Sequence, residues 1–175
     1  VGDSNWWIGL ITGATAVVAS WVAGRGATRS ARVQAEVTAH AAQVAEARSR
    51  RRDAYREMSA AAHGLSEVFW RIEEADAAPP GEPRAAVLAQ LRADGRAALN
   101  EVTRASREVV LEGPAPVAGA AQTLRLRAIT TSRLLTRLTT GDEDAERARF
   151  DAAYRDFREE HLTFLELARA ALDVG

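Results

Sequence analysis

Three histidines, His40, His63 and His161, are the side chains of this sequence suited to proton exchange near neutrality, and no cysteine accompanies them. His40 follows Glu36, and Glu67 follows His63, each at the i,i+4 spacing that puts both donors on one helical face, where two ligands can clip a metal ion. A di-metal bundle needs more, namely Glu-x-x-His on two helices with further inward glutamates, and no Glu-x-x-His occurs here. A solvated face is therefore the simpler account of both pairs. His161 differs, because it stands between Phe157 and Phe164 on an apolar stripe. The expectation is a core histidine satisfied by one hydrogen bond, with a proton switch or ligand as the alternative. With no second catalytic group placed beside it by the sequence, it builds no triad.

Gly2-Asp3-Ser4-Asn5 echoes the G-D-S block of one class of serine hydrolases. That chemistry needs a strand ahead of the serine and an Asp-x-x-His for the base. Neither is present, so we read no catalytic site, no metal and no cofactor, and expect a non-enzymatic protein.

The densest charge feature is Arg48, Arg50, Arg51 and Arg52. Such a cluster binds the acids of a partner protein, contacts nucleic acid, or is a solvated rim. The formal net charge of −1 and the lack of interleaved aromatics argue against nucleic acid. Trp70 beside Phe69 either widens a core stripe or presents an aromatic anchor, and core packing is the commoner fate. Arg48, Arg50, Arg51, Arg52 and Trp70 are accordingly the candidate interaction residues.

These residues must be positioned by helices. From Trp6 to Ala23 the chain carries no charge, a run that as a helix measures about 27 Å, near the short end of what spans a bilayer core. Trp6 and Trp7 stand at one end and Trp21 at the other, where indoles favour the headgroup level. An export signal calls for positive charge before the apolar run, yet only Asp3 is charged there. Arg25, Arg29 and Arg32 follow it, which by the positive-inside rule places the remainder of the chain in the cytoplasm and the N-terminus outside. Gly9 and Gly13 form a G-x-x-x-G step that permits close approach of two such helices, so homo-oligomerisation is open. The cluster at Arg48 lies about 35 Å of helix beyond Arg25, out of electrostatic reach of lipid at a Debye length of about 8 Å.

Past Gly24-Arg25-Gly26, taken as a hinge, no proline interrupts the sequence until Pro79, so one long helix is expected. Its first half is alanine-rich, with Val33, Val37 and Val44 as a thin seam. From Tyr55, the residues Met58, Ala62, Leu65, Phe69 and Ile72 follow at alternating steps of three and four. "DAAPPGEPR" reads as a turn, after which Leu88, Leu91, Gly95, Ala98, Val102, Ala105 and Val109 keep that spacing. Gly95 is its weak point, where a break is conceivable. "EGPAP" ends this helix and starts the one carrying Val117, Ala121, Leu124, Ala128, Leu135 and Leu138. "TTGDED" is the third turn, and Phe150, Tyr154, Phe157, His161, Phe164, Ala168 and Leu172 line the last helix.

The expected fold class is thus all-α: an N-terminal transmembrane helix continuing into a long helical stalk and an antiparallel four-helix bundle. The divisions are 1–5 outside, 6–24 in the membrane, 25–52 the stalk, and 53–175 the cytoplasmic bundle. All 23 basic residues are arginine, a bias that GC-rich codons produce, and because GTG often starts translation in such genomes the expectation is that Val1 is an initiator read from GTG. The layout W-W-I-G-L-I-T-G-A-T-A-V-V-A-S-W-V-A-G-R, followed by A-R-V-Q-A-E and R-R-x-A-Y, resembles a loose group of small actinobacterial proteins with an N-terminal anchor and a helical cytoplasmic region. That resemblance implies the layout and no activity. The partners expected are the lipid bilayer and an unidentified protein, for a scaffold or adaptor at the cytoplasmic face. The alternative is a small membrane-active effector or immunity-type protein acting through assembled anchors.

Overall fold

Side chains recurring at steps of three and four share one face of a helix, and four such stripes can bury one another only by converging on a common axis. The computed structural model realises this arrangement. It describes the backbone of residues 5–138 and 143–173, and the side chains of residues 34–138 and 144–173. In order the helices are α1 (Asn5–Trp70), α2 (Ile72–Ala77), α3 (Glu82–Glu112), α4 (Ala115–Arg137) and α5 (Glu143–Asp173), and no strand occurs among the described residues.

Two compact units are distinguished, Val1–Glu46 and Ala47–Gly175. In the first, the residues 34–46 of α1 are almost all exposed, Val37 and Val44 among them, so that thin seam has no cover among the described residues. The anchor residues Trp6, Trp7, Gly9, Gly13 and Trp21 have side chains outside those described. Among the described residues no helix is long and apolar enough to cross a membrane.

The second unit is the bundle, formed by the end of α1 with α3, α4 and α5. Its core holds Tyr55, Met58, Leu65 and Phe69 from α1, Leu91, Val102 and Val109 from α3, and Val117, Leu124 and Leu135 from α4. Phe150, Phe157 and Phe164 complete it from α5. Cross-helix contacts fix the directions. Arg51 meets Glu112 while Arg71 meets Asp94, so α1 and α3 run antiparallel. Thr131 meets Ala153 while Arg127 meets Asp156, which makes α4 and α5 antiparallel as well. Tyr55 lies edge-on to Phe164 and Phe69 to Phe150, closing the ring between α1 and α5.

Thr131 is a fully buried polar member of the stripe, in the gap between Ala128 and Leu135. Its Oγ1 lies 3.0 Å from the Arg127 carbonyl and 3.1 Å from that of Ala153, so the hydroxyl always finds an acceptor. Gly95 stays within α3 and is buried, so no break occurs there. At the α2–α3 turn Gly81 adopts φ 99°, a conformation that side-chain-bearing residues rarely take.

One expectation is corrected here. The helix beginning in the N-terminal half does not run on to the proline turn: it ends at Trp70, and α2 restarts at Ile72. Arg71 between them has ψ 0°, and Glu74 N–H donates to the Arg71 carbonyl at 2.9 Å, a tightened turn. The guanidinium of Arg71 holds this kink by donating to Asp94 at 2.9 Å and to Glu74 at 3.0 Å. Both carboxylates keep the Arg71 charge in place, Glu74 most strongly.

Candidate functional site

The face between α1 and α5 gathers features that lie far apart in the chain. Phe69 turns inward and meets Phe150, Tyr154 and Phe157 edge-on, at centroid distances of 5.8, 5.7 and 5.7 Å. One residue further is about 100° round the helix, so Trp70 points away from that core. It is 60% exposed. Core packing of Trp70 is thereby overturned, because Phe69 already occupies the inward position of the stripe. Leu162 of α5, equally exposed at 61%, borders the same hollow.

That hollow, of about 670 Å³, is lined by His63, Ser66, Trp70, Tyr154, Arg158 and His161. A second, of about 740 Å³, begins at His63 and extends past Ser59, Arg56 and Arg52 on α1, and past Leu165, Ala168 and Arg169 on α5. The two meet at His63 and lie end to end along the α1–α5 seam, and together they are called the trough. Its floor is alternately apolar and polar. Arginines outnumber the acids Glu67 and Asp173 along its margins.

The polar floor is built from neighbouring turns. Ser66 Oγ and Tyr154 Oη are 2.9 Å apart, and Tyr154 Oη also donates to the Ser66 carbonyl at 3.2 Å. This pairing explains why Tyr154 is only half-buried though it follows the core spacing. His161, one turn beyond Phe157, stacks obliquely on that ring at 6.5 Å. Its Nε2 is buried with no hydrogen-bond partner, which corrects the expectation of a satisfied core histidine. The nearby hydroxyls of Ser66 and Tyr154 satisfy each other instead. Burial, and secondarily the proximity of His63, hold the His161 imidazole below the usual histidine range. His161 is therefore neutral at physiological pH and offers its ring to the trough as a largely apolar surface.

His63 and Glu67 make the i,i+4 contact that their spacing predicts, at 3.4 Å and largely exposed. No group of three or more metal-binding side chains exists among the described residues. Ser66 is bonded to Tyr154, and the backbone N–H groups around it are committed within the helix, so none is turned to the trough as an oxyanion donor.

The arginine cluster separates into two roles. Arg51 Nε donates to the Glu112 carbonyl at 2.9 Å, at the C-terminal end of α3, and Arg50 pairs with the Glu112 carboxylate at 3.5 Å. These two tie α1 to α3. Arg48 and Arg52 have no ion-pair partner among the described residues, and Arg52 lies on the trough. Arg158 and Arg169 on α5 are likewise free of carboxylate partners there. Sequence reasoning missed Arg158 and Arg169, as well as Ser66 and Tyr154 acting as a pair. Their signal was available in the spacing of Arg158, Leu162 and Leu165, which share one side of α5 just off the Phe157–Phe164 stripe.

Comparison with protein families, with curated proteins and with solved structures gives no match for this chain.

Proposed function

We infer that this chain is a non-enzymatic adaptor of the cytoplasmic membrane, with residues 6–24 as a single N-out span and the bundle as a cytoplasmic docking module. The anchor rests on the uncharged run bracketed by Trp6, Trp7 and Trp21 and followed by arginines. The docking role rests chiefly on one observation, the exposure of Trp70 at the mouth of a trough flanked by Leu162. A tryptophan left in water beside another exposed apolar side chain forgoes burial energy that a partner can supply, and tryptophan is among the residues enriched as anchors of protein interfaces. The arginines at its margins add orientation rather than bulk affinity.

The test is membrane extraction followed by purification of the full chain in mild detergent with mass determination of what accompanies it. The protein stays in the membrane fraction after alkaline carbonate treatment, and a stoichiometric second protein accompanies it and persists when residues 6–24 are replaced by an unrelated span. Release by carbonate overturns the anchor. A homomultimer without a companion overturns the adaptor and favours the membrane-active effector or immunity-type reading.

A further inference from the structure

The trough along α1 and α5 has a length, a floor and a charge that together select a ligand class. From Arg52 on α1 to Arg71 just past its end, and from Tyr154 to Asp173 on α5, its walls each run about 28 Å, the length of a helix of about 20 residues. Apolar contacts are spread along it rather than gathered in one pit, with Trp70 and Leu162 at one end and Leu165, Ala168 and Leu172 at the other. Arg52, Arg158 and Arg169 stand over it without a carboxylate partner, against Glu67 and Asp173 as the acids on the walls. Glu67 faces His63.

We propose that this trough binds an acidic amphipathic helix of a partner protein, laid along the α1–α5 seam with its apolar face on Trp70, Leu162 and Leu165 and its carboxylates on Arg52, Arg158 and Arg169. An amphipathic helix in a groove contributes anchors at i, i+3, i+4 and i+7, which is the spacing at which a long trough between two helices accepts side chains. Charge decides among the occupants. A second copy of this chain docked through the same face sets arginine against arginine across the two-fold axis, which is repulsive. A bilayer surface is flat, whereas here the apolar side chains line a concavity. The inference rests on the adaptor reading and adds the chemistry of the partner.

The test is selection of a displayed library of 20-residue peptides on a helical frame against the full chain held in zwitterionic micelles. A selected peptide, labelled at one end, is then titrated by fluorescence anisotropy. The selected sequences are acidic, with large apolar residues at helical spacing. Arg52→Glu, Arg158→Glu and Arg169→Glu combined weaken the titrated peptide by more than about tenfold, as does Trp70→Ala alone. Leu126→Ala, at another exposed apolar position, leaves it unchanged. Unaltered helical circular dichroism and melting show that each variant keeps its fold. Failure to enrich any peptide overturns the proposal, as does enrichment of neutral or basic ones, or binding indifferent to the arginine reversals. A photo-crosslinker at position 162 that captures a second copy of the chain, or peptide displaced by anionic vesicles, overturns it in favour of those occupants. A purified companion whose crosslinks map away from α1 and α5 sinks this inference alone and leaves the adaptor standing.

Discussion

Adjacent aromatic residues with opposite fates give the most direct measurement of the helical phase on which the site depends. Phe69 is fully buried and touches three other rings edge-on. Replacing it by alanine removes the burial of a large side chain and opens a cavity, a change that costs about 3–5 kcal/mol. Aromatic pairs of this geometry contribute about 0.5–1.5 kcal/mol each beyond area, which places Phe69→Ala at the upper end, about 4–5 kcal/mol. For a bundle whose total stability is of order 5–15 kcal/mol, that is a large fraction. At about 3–4 °C per kcal/mol for a unit of this size, the melting midpoint falls by roughly 12–20 °C. Trp70→Ala, one residue on, removes a mostly exposed side chain and costs under about 1 kcal/mol. Both are read by thermal melting of the full chain in mild detergent, followed by far-ultraviolet circular dichroism. Equal losses for the two variants, or a loss below about 1 kcal/mol for Phe69→Ala, would refute the assignment of inward and outward faces, and with it the trough.

Four further outcomes follow from contacts elsewhere in the bundle. Because burial and His63 depress the His161 imidazole, the unfolded chain takes up that proton first as pH falls; the stability involved is complete above about pH 6.5 and declines below it until the folded imidazole also protonates. Melting across pH 8 to 5 should therefore show a steeper acid loss for the wild type than for His161→Phe, and parallel curves would reject the depressed imidazole. A methyl group added at Gly95 meets Leu135 Cδ2 at 3.5 Å and Val68 Cγ1 at 3.8 Å, ordinary contact, so Gly95→Ala should stabilise by about 0.5–1 kcal/mol in the same melts. At Gly113 the added carbon lies 2.8 Å from the Val109 carbonyl oxygen, and Gly113→Ala should destabilise by more than about 1 kcal/mol. Arg51→Ala loses its bond to the Glu112 carbonyl and should cost about 1–2 kcal/mol, whereas Arg52→Ala should stay within about 0.5 kcal/mol; the reverse order would contradict the division of the cluster.

The bundle was legible because burial obeys a period that sequence displays directly. Every stripe residue from Tyr55 to Ile72 is buried, and the stripes on α3, α4 and α5 follow suit, with only Ala98, Tyr154, His161 and Leu172 partly open. What escaped is what depends on partners across helices. The break at Arg71 is held by Asp94, a residue of α3 that no local pattern of α1 announces. Trp70 was misassigned because, though off the core phase, it was expected to widen the stripe: Phe69 fills the inward position, and Trp70 is 60% exposed. His161 was expected to find a donor or acceptor, but the hydroxyls within reach are engaged with each other. The arginine cluster read as a single patch, although a helix sends successive residues in different directions, and two of the four reach Glu112.

The seam between α1 and α5 is also where the chain closes upon itself. Turns of a few residues join α3 to α4 and α2 to α3, so these neighbours find each other locally; α1 and α5 meet only after the whole intervening chain has folded back. Such a junction carries the largest closure entropy and is the natural place for the bundle to open without unfolding completely. A helix bound along it would be a clasp across the first and last helices, drawing its free energy from both and suppressing the opening by mass action. Amide exchange at Leu65–Phe69 and at Phe157–Phe164 would then slow together on binding, while exchange at the α3–α4 turn would not, so that occupancy of the surface is written into the breathing of the core.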